Sequence, residues 1–381
     1  MVEQGGDVEP REGEPVSPER PPEGRVIELD SLRGLAALAV VIFHTNSSWL
    51  PFGWAAVDLF FVLSGCLITS IILRHGGSSG FLRTFYVRRG LRTWPIYYLL
   101  IALLCIISPL LSRPCLWSSL PFTLTYTQGL ARVWPAAAEP FSRYLAHTWS
   151  LAIEEQFYLV WPALVLLAGR RRLVPLALLC ICGSVYARSQ GVWWDLCSRC
   201  DGLLLGGLLA ALQVHHAPFA RRLSTLIRLS AVGALAFLCV LASRVGIHPD
   251  VLLPSYPASS VLAFNLLWLG VIDFVLEHSG KDSMGLLRLP PLARLGQMSY
   301  GLYLYHFPVL AILLDIARGL GFLGKVYPLK VLSIVLSIGL AKLSWRFIER
   351  PLLCMKDRFA YVAESATNPA PAGAFCRRLA H

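Results

Sequence analysis

The chain has 381 residues, 55% of them hydrophobic and only 15% charged, with a mean hydropathy of +0.58, a balance that excludes an ordinary soluble domain. Lipid offers no partner for an unpaired backbone amide, so apolar length of this order implies transmembrane helices of about 20 residues each. The formal charge of +11 does not mark a nucleic-acid binder, because the Lys and Arg residues fall in short clusters between apolar runs rather than along one polar face.

Residues 1–24 are rich in Pro, Glu and Gly and contain no apolar core. They read as a disordered cytosolic tail without a cleavable leader, which makes the first span the targeting signal. Apolar runs then predict ten spans, near 32–50, 54–73, 95–112, 149–168, 173–190, 201–214, 229–245, 258–276, 296–316 and 329–347. Residues 116–130 are short, apolar and rich in Pro and Thr, and are expected to form an outer loop or re-entrant segment. With the N-terminus inside, the cytosolic segments hold Arg74, Arg83, Arg88, Arg89 and Arg92, then Arg170 to Arg172, Arg221, Arg222 and Arg228, and Lys281, Arg288 and Arg294. The positive-inside rule therefore places both termini in the cytosol.

The expected fold class is all-α: a polytopic, multi-pass protein of the inner or plasma membrane with about ten transmembrane helices. Its parts are the tail 1–24, one membrane domain over 25–354 and a cytosolic C-terminal tail over 355–381. No internal repeat of the kind found in many transporters is present. Most cysteines lie inside apolar runs as small hydrophobes. The lone Cys197-x-x-Cys200 pair reads as a loop disulfide or as nothing, rather than as half of a zinc site.

Ionisable residues inside spans carry the chemistry, since each is costly in lipid unless it faces a polar cavity. Arg33 and His44 are eleven residues apart in the first span, just over three turns, so they share a helix face about 16 Å apart along the axis. Asp58, early in the second span, is expected at the depth of His44, where a carboxylate would fix the imidazole tautomer; without that contact it pairs with a basic residue elsewhere. The segment FYVRRGLRTWP (85–95) is expected as a loop whose Arg88, Arg89 and Arg92 hold phosphates, or serve topology and lipid phosphate alone.

In HTWSLAIEEQFYLVWP (147–162), Glu154 and Glu155 point about 100° apart, so one can line a cavity while the other finds a different partner. Trp149 reads as a cavity or interfacial-belt residue, and Tyr158 as a cavity residue. Arg199 and Asp201 are expected at the outer rim of the sixth span. In SYGLYLYHFP (299–308), Ser299, Tyr303 and His306 recur at helical spacing toward the same cavity, with Tyr300 and Phe307 facing elsewhere.

Taken in order, LDSLRGLAALAVVIFH, VDLFFVLSG, FYVRRGLRTWP, HTWSLAIEEQFYLVWP, SRCDGLLLG, LGQMSYGLYLYHFP and the terminal IERP (348–351) resemble the acyltransferase-3 family of integral membrane O-acyltransferases. That family modifies O-antigens, exopolysaccharides, Nod factors and some macrolides. The resemblance covers essentially residues 25–354. It implies acyl-CoA, with acetyl-CoA first, as donor co-substrate and no permanently bound cofactor or metal. It also implies His44 as the base that activates an acceptor hydroxyl, supported by Arg33. The arginine segment becomes part of the donor site, and Glu154 rather than Glu155 the functional carboxylate. Where the family often has Phe, this chain has Cys66. Some relatives carry a further hydrolase-like domain after the last span, for which this chain is expected to be too short. The implied partners are the bilayer and a carbohydrate or lipid-linked glycan, with no nucleic acid. Two rival readings are an enzyme that acylates a diffusible product such as a macrolide, and a transporter or flippase that uses His44 and the carboxylates as a proton relay.

Overall fold

The computed structural model describes residues 26–107, 120–131, 142–215, 217–245, 257–321 and 326–361; the expected N-terminal tail and most of the C-terminal one lie outside these. Among the described residues there are ten long helices and no strand. They are α1 (Ile27–Thr45), α2 (Ala56–His75), α3 (Phe81–Ile107), α4 (Trp149–Ala168), α5 (Leu173–Ser189), α6 (Leu196–His215), α7 (Ala217–Val245), α8 (Ala258–His278), α9 (Ser299–Gly319) and α10 (Val326–Ser344). Eight of these are long and apolar enough to cross a membrane. α5 is apolar but shorter, and α1 carries Glu28, Asp30 and Arg33 in its first turns.

The bundle closes around α2, which is buried along most of its length and packs most closely on α6. Two glycines allow that approach: a Cβ on Gly65 would stand 1.7 Å from the Leu203 carbonyl oxygen, and one on Gly206 would stand 2.0 Å from that of Val62. Backbone thus meets backbone, the packing mode that replaces the hydrophobic effect between helices in lipid. At the other extreme α7 and α10 expose long apolar rows, among them Leu229, Val232, Val240, Val331, Val335 and Leu343. On a multi-pass protein such rows are lipid-facing.

The first helix begins about five residues before its apolar run because its charged turn finds partners. The Glu28 carboxylate accepts hydrogen bonds from the Gly280 amide (2.9 Å) and the Ser279 hydroxyl (3.1 Å) at the end of α8. The short helix Pro290–Gln297 lies along the same turns, where a Cβ on Gly296 would stand 1.9 Å from the Asp30 carbonyl oxygen. A larger correction concerns residues 85–95, which form no loop: α3 starts at Phe81 and continues past Pro95. The amphipathic turns FLRTFYVRR, whose Phe81 and Phe85 are buried, propagate the helix. In the segment 116–130, the described part forms two short helices, Leu120–Leu124 and Gln128–Ala131. The first lies on α3, its carbonyls at Thr123 and Leu124 accepting from the Tyr97 and Tyr98 hydroxyls.

Candidate active site

A cavity opens between α1, α2, α3, α4 and α9, with roughly 680 Å³ of empty space when its open mouth is included. Arg33 enters it from α1, Arg89 and Arg92 from consecutive turns of α3, Ser64 from α2, Glu154 and Tyr158 from α4, and Ser299, Tyr300 and Tyr303 from α9. The continuation of α3 through the arginine motif is what aims Arg89 and Arg92 at one wall. Arg89 lies over the Tyr158 ring, 5.4 Å from its centroid. Among the described residues no carboxylate forms an ion pair with Arg33, Arg89 or Arg92. The one carboxylate on the lining, Glu154, accepts instead from the Ser64 hydroxyl at 2.7 Å. Three guanidinium groups around one space, none of them closed into an ion pair among the described residues, present the donor pattern that suits an anion with several oxygens.

The neighbouring carboxylates of α4 separate as their geometry requires. Glu155 turns away to accept a hydrogen bond from the Trp94 indole N–H of α3 at 3.1 Å. Tyr300 departs from expectation: it lines the cavity, and its hydroxyl donates to the Thr93 carbonyl at 3.0 Å.

Arg88 is not a cavity residue. It points the other way and donates to the carbonyls of Lys356 (3.0 Å) and Phe359 (2.7 Å), with its guanidinium over the Tyr361 ring. Tyr361 in turn stacks on His75 at 4.5 Å. Residues 356–361 are therefore docked on α3. Burial pushes the Tyr361 phenol above its ordinary pKa, against the pull of Arg89 and Arg88.

Asp58 does not meet His44. Fully buried, it accepts from Arg199 at 2.6 Å. Arg199 and Asp201, in the first turns of α6, do not line the cavity either: both are buried, and Asp201 pairs with Arg188 of α5 at 2.7 Å. Arg188 also donates to the carbonyls of Ala258 and Ser198, so it joins α5, α6 and α8. Trp149 belongs to this cluster and not to the cavity, its ring 5.4 Å from the Arg199 guanidinium and against Trp194. Cys197 and Cys200 are free thiols on α6, Cys200 bonding to the Ser184 hydroxyl at 3.0 Å, so no disulfide joins them.

His44 and His306 do not line the cavity; they pair with each other beyond it. His44 Nδ1 lies 2.9 Å from His306 Nε2, and the buried His147 completes a cluster of three imidazoles. Neither Asp58 nor Glu154 orients His44. Pro308 explains how His147 is held: lacking an N–H, it leaves the Leu304 carbonyl without its helical donor, and His147 Nε2 takes that place at 3.2 Å. Phe307 packs against both His44 and His147, so it too faces the cluster. Among the described residues no group of side chains converges as a metal site.

Tyr303 is the partition between cavity and cluster. Its hydroxyl donates to the His147 carbonyl at 2.9 Å and sits 2.6 Å from Ser150 Oγ, while its own carbonyl is 2.6 Å from His306 Nδ1. Ser64, Ser150 and Tyr300 carry no charge that would single them out in sequence. Arg188 does: a basic residue near the end of an apolar span asks for a partner.

The model of the acyltransferase-3 family, described as an acyltransferase domain, matches residues 26–342. A putative peptidoglycan O-acetyltransferase of Bacillus subtilis, YrhL, is 32% identical over 85% of this chain and 54% of its own length. The peptidoglycan O-acetyltransferase OatA of Listeria monocytogenes is 27% identical over 86% of this chain and 56% of its own. A putative O-acetyltransferase of Staphylococcus aureus is 30% identical over 85% and 56%. The chain thus spans about half the length of the curated relatives it matches. No solved structure matches it.

Proposed function

Because this chain belongs to the acyltransferase-3 family, we propose that it is a membrane O-acyltransferase that moves an acetyl group from cytosolic acetyl-CoA to a hydroxyl of a surface glycan. The observation that carries this reading is the cavity of Arg33, Arg89 and Arg92 without a paired carboxylate. Its charge suits the phosphates of coenzyme A, and its apolar lining of Val57, Phe60, Phe61 and Leu151 suits the pantetheine arm. The relatives named as peptidoglycan O-acetyltransferases favour an amino-sugar polymer over an O-antigen as acceptor.

In this scheme the thioester is held near Tyr303 and the acceptor approaches from the histidine side. The acceptor hydroxyl gives its proton to His44 as its oxygen attacks the thioester carbonyl. The C–S bond then breaks, and the imidazolium returns the proton to the departing thiolate. Buried donors such as Ser150 and Tyr303 are placed to stabilise charge on the thioester oxygen once their present bonds are exchanged.

The test is free-thiol release from acetyl-CoA by protein in nanodiscs, with and without a soluble N-acetylhexosamine oligomer. Acceptor-dependent release that is lost in His44→Ala and weakened in Arg89→Gln supports the proposal. Equal release by wild type and His44→Ala removes His44 as base. No release from any thioester, together with movement of a glycan across the bilayer, returns the transporter reading.

A further inference from the structure

We propose that His306 is the positioning residue that holds His44 in its Nδ1–H tautomer, leaving Nε2 as the lone pair that takes the acceptor proton; this rests on the reading of His44 as base. The argument starts from a backbone oxygen. A carbonyl only accepts hydrogen bonds, and His306 Nδ1 stands 2.6 Å from that of Tyr303, so Nδ1 carries the hydrogen. The other nitrogen of a neutral imidazole is a lone pair. That nitrogen, Nε2, lies 2.9 Å from His44 Nδ1. The contact is a hydrogen bond only if His44 Nδ1 donates, which strips the proton from its Nε2.

Neither nearby carboxylate fills this role: Asp58 is bound to Arg199, and Glu154 accepts from Ser64. That role falls to a neutral imidazole backed by a peptide carbonyl, beside the Val40 carbonyl one turn back on α1, which also meets the His44 ring. Its ring is fixed by its surroundings. His306 is 2% exposed, with the His147 ring edge-on at 5.0 Å and the Tyr303 ring at 5.6 Å. His44 is only half-buried, so its ring retains an approachable edge. When Nε2 gains the acceptor proton, the Nδ1–H···Nε2 bond persists and becomes charge-assisted, which stabilises the imidazolium until the thiolate takes the proton back.

Two measurements test this. In protein labelled with ¹⁵N at the histidine rings, the resonance missing from His44→Ala is expected to show a protonated Nδ1 and a bare Nε2; the reverse tautomer overturns the inference. In the thiol-release assay, His306→Leu is expected to lower kcat about 10- to 100-fold, the scale known for partners that orient metal-bound imidazoles, with KM for acetyl-CoA unchanged. His306→Gln, whose amide oxygen can accept from His44, is expected to recover most of kcat. Equal turnover by His306→Leu and wild type refutes the role, as does failure of a monodisperse His306→Gln to exceed His306→Leu. If His44→Ala itself turns over normally, the base reading fails, while the tautomer measurement still decides the grip of His306 on the ring.

Discussion

Replacing Asp58 by Asn would leave the Arg199 guanidinium charged, 1% exposed and without its carboxylate at 2.6 Å. Breaking a buried ion pair from one side typically costs about 3–5 kcal/mol, because the remaining charge keeps its desolvation penalty and loses its partner. The Phe61 and Trp149 rings beside Arg199 already make their cation–π contacts in the native protein, so they do not offset that loss. At about 2–4 °C per kcal/mol for a sizeable domain, the melting temperature of Asp58→Asn should fall by on the order of 10 °C. The double variant Asp58→Leu/Arg199→Met removes both charges and should recover a good part of that loss. The assay is intrinsic tryptophan fluorescence on heating in detergent, with size exclusion confirming monodispersity. Unchanged melting of Asp58→Asn would refute the structural role of the pair. An Asp58→Asn protein that is fully stable yet inactive would instead move Asp58 into the chemistry.

Arg89→Gln should raise KM for acetyl-CoA about 10- to 100-fold, the value of a charged hydrogen bond, whereas Arg88→Gln should leave it unchanged; steady-state thiol release compares the two. Gly206→Leu should prevent assembly of a monodisperse bundle, since its Cβ alone would meet the Val62 carbonyl, while Gly233→Ala on α7, with open space around it, should elute as wild type does.

Much of the architecture is visible in the sequence, because lipid forces each apolar run to become one helix and the runs are separated by charge clusters. The start of α3 is hidden for a local reason: Pro95 reads as the first turn of a helix, and only packing of Phe81 and Phe85 shows that the helix is already formed there. Within the site, Arg33, Glu154, Tyr158, Ser299 and Tyr303 are brought to one cavity as their positions in spans suggest, and Arg89 and Arg92 join them from a helix where a loop is expected. Asp58 takes the second of its two expected readings, pairing with a basic residue rather than with His44, because depth in a hairpin does not fix azimuth. Its side chain points across to α6, where the glycine-mediated approach of the two helices places Arg199. The pairing of His44 with His306 spans 262 residues, and no local pattern encodes a contact between two helices so far apart in the chain.

Tyr303 makes α9 behave as a ruler with two marks. Its side chain lines the cavity, while its carbonyl, one turn from His306, sets the histidine ring, so both marks are cut on the same residue. One residue inserted between Ser299 and Tyr303 would rotate everything above it by about 100° relative to the arginine end. Chimeras that graft the arginine half of this protein onto the histidine half of a relative must therefore keep that interval, however freely they exchange the loops.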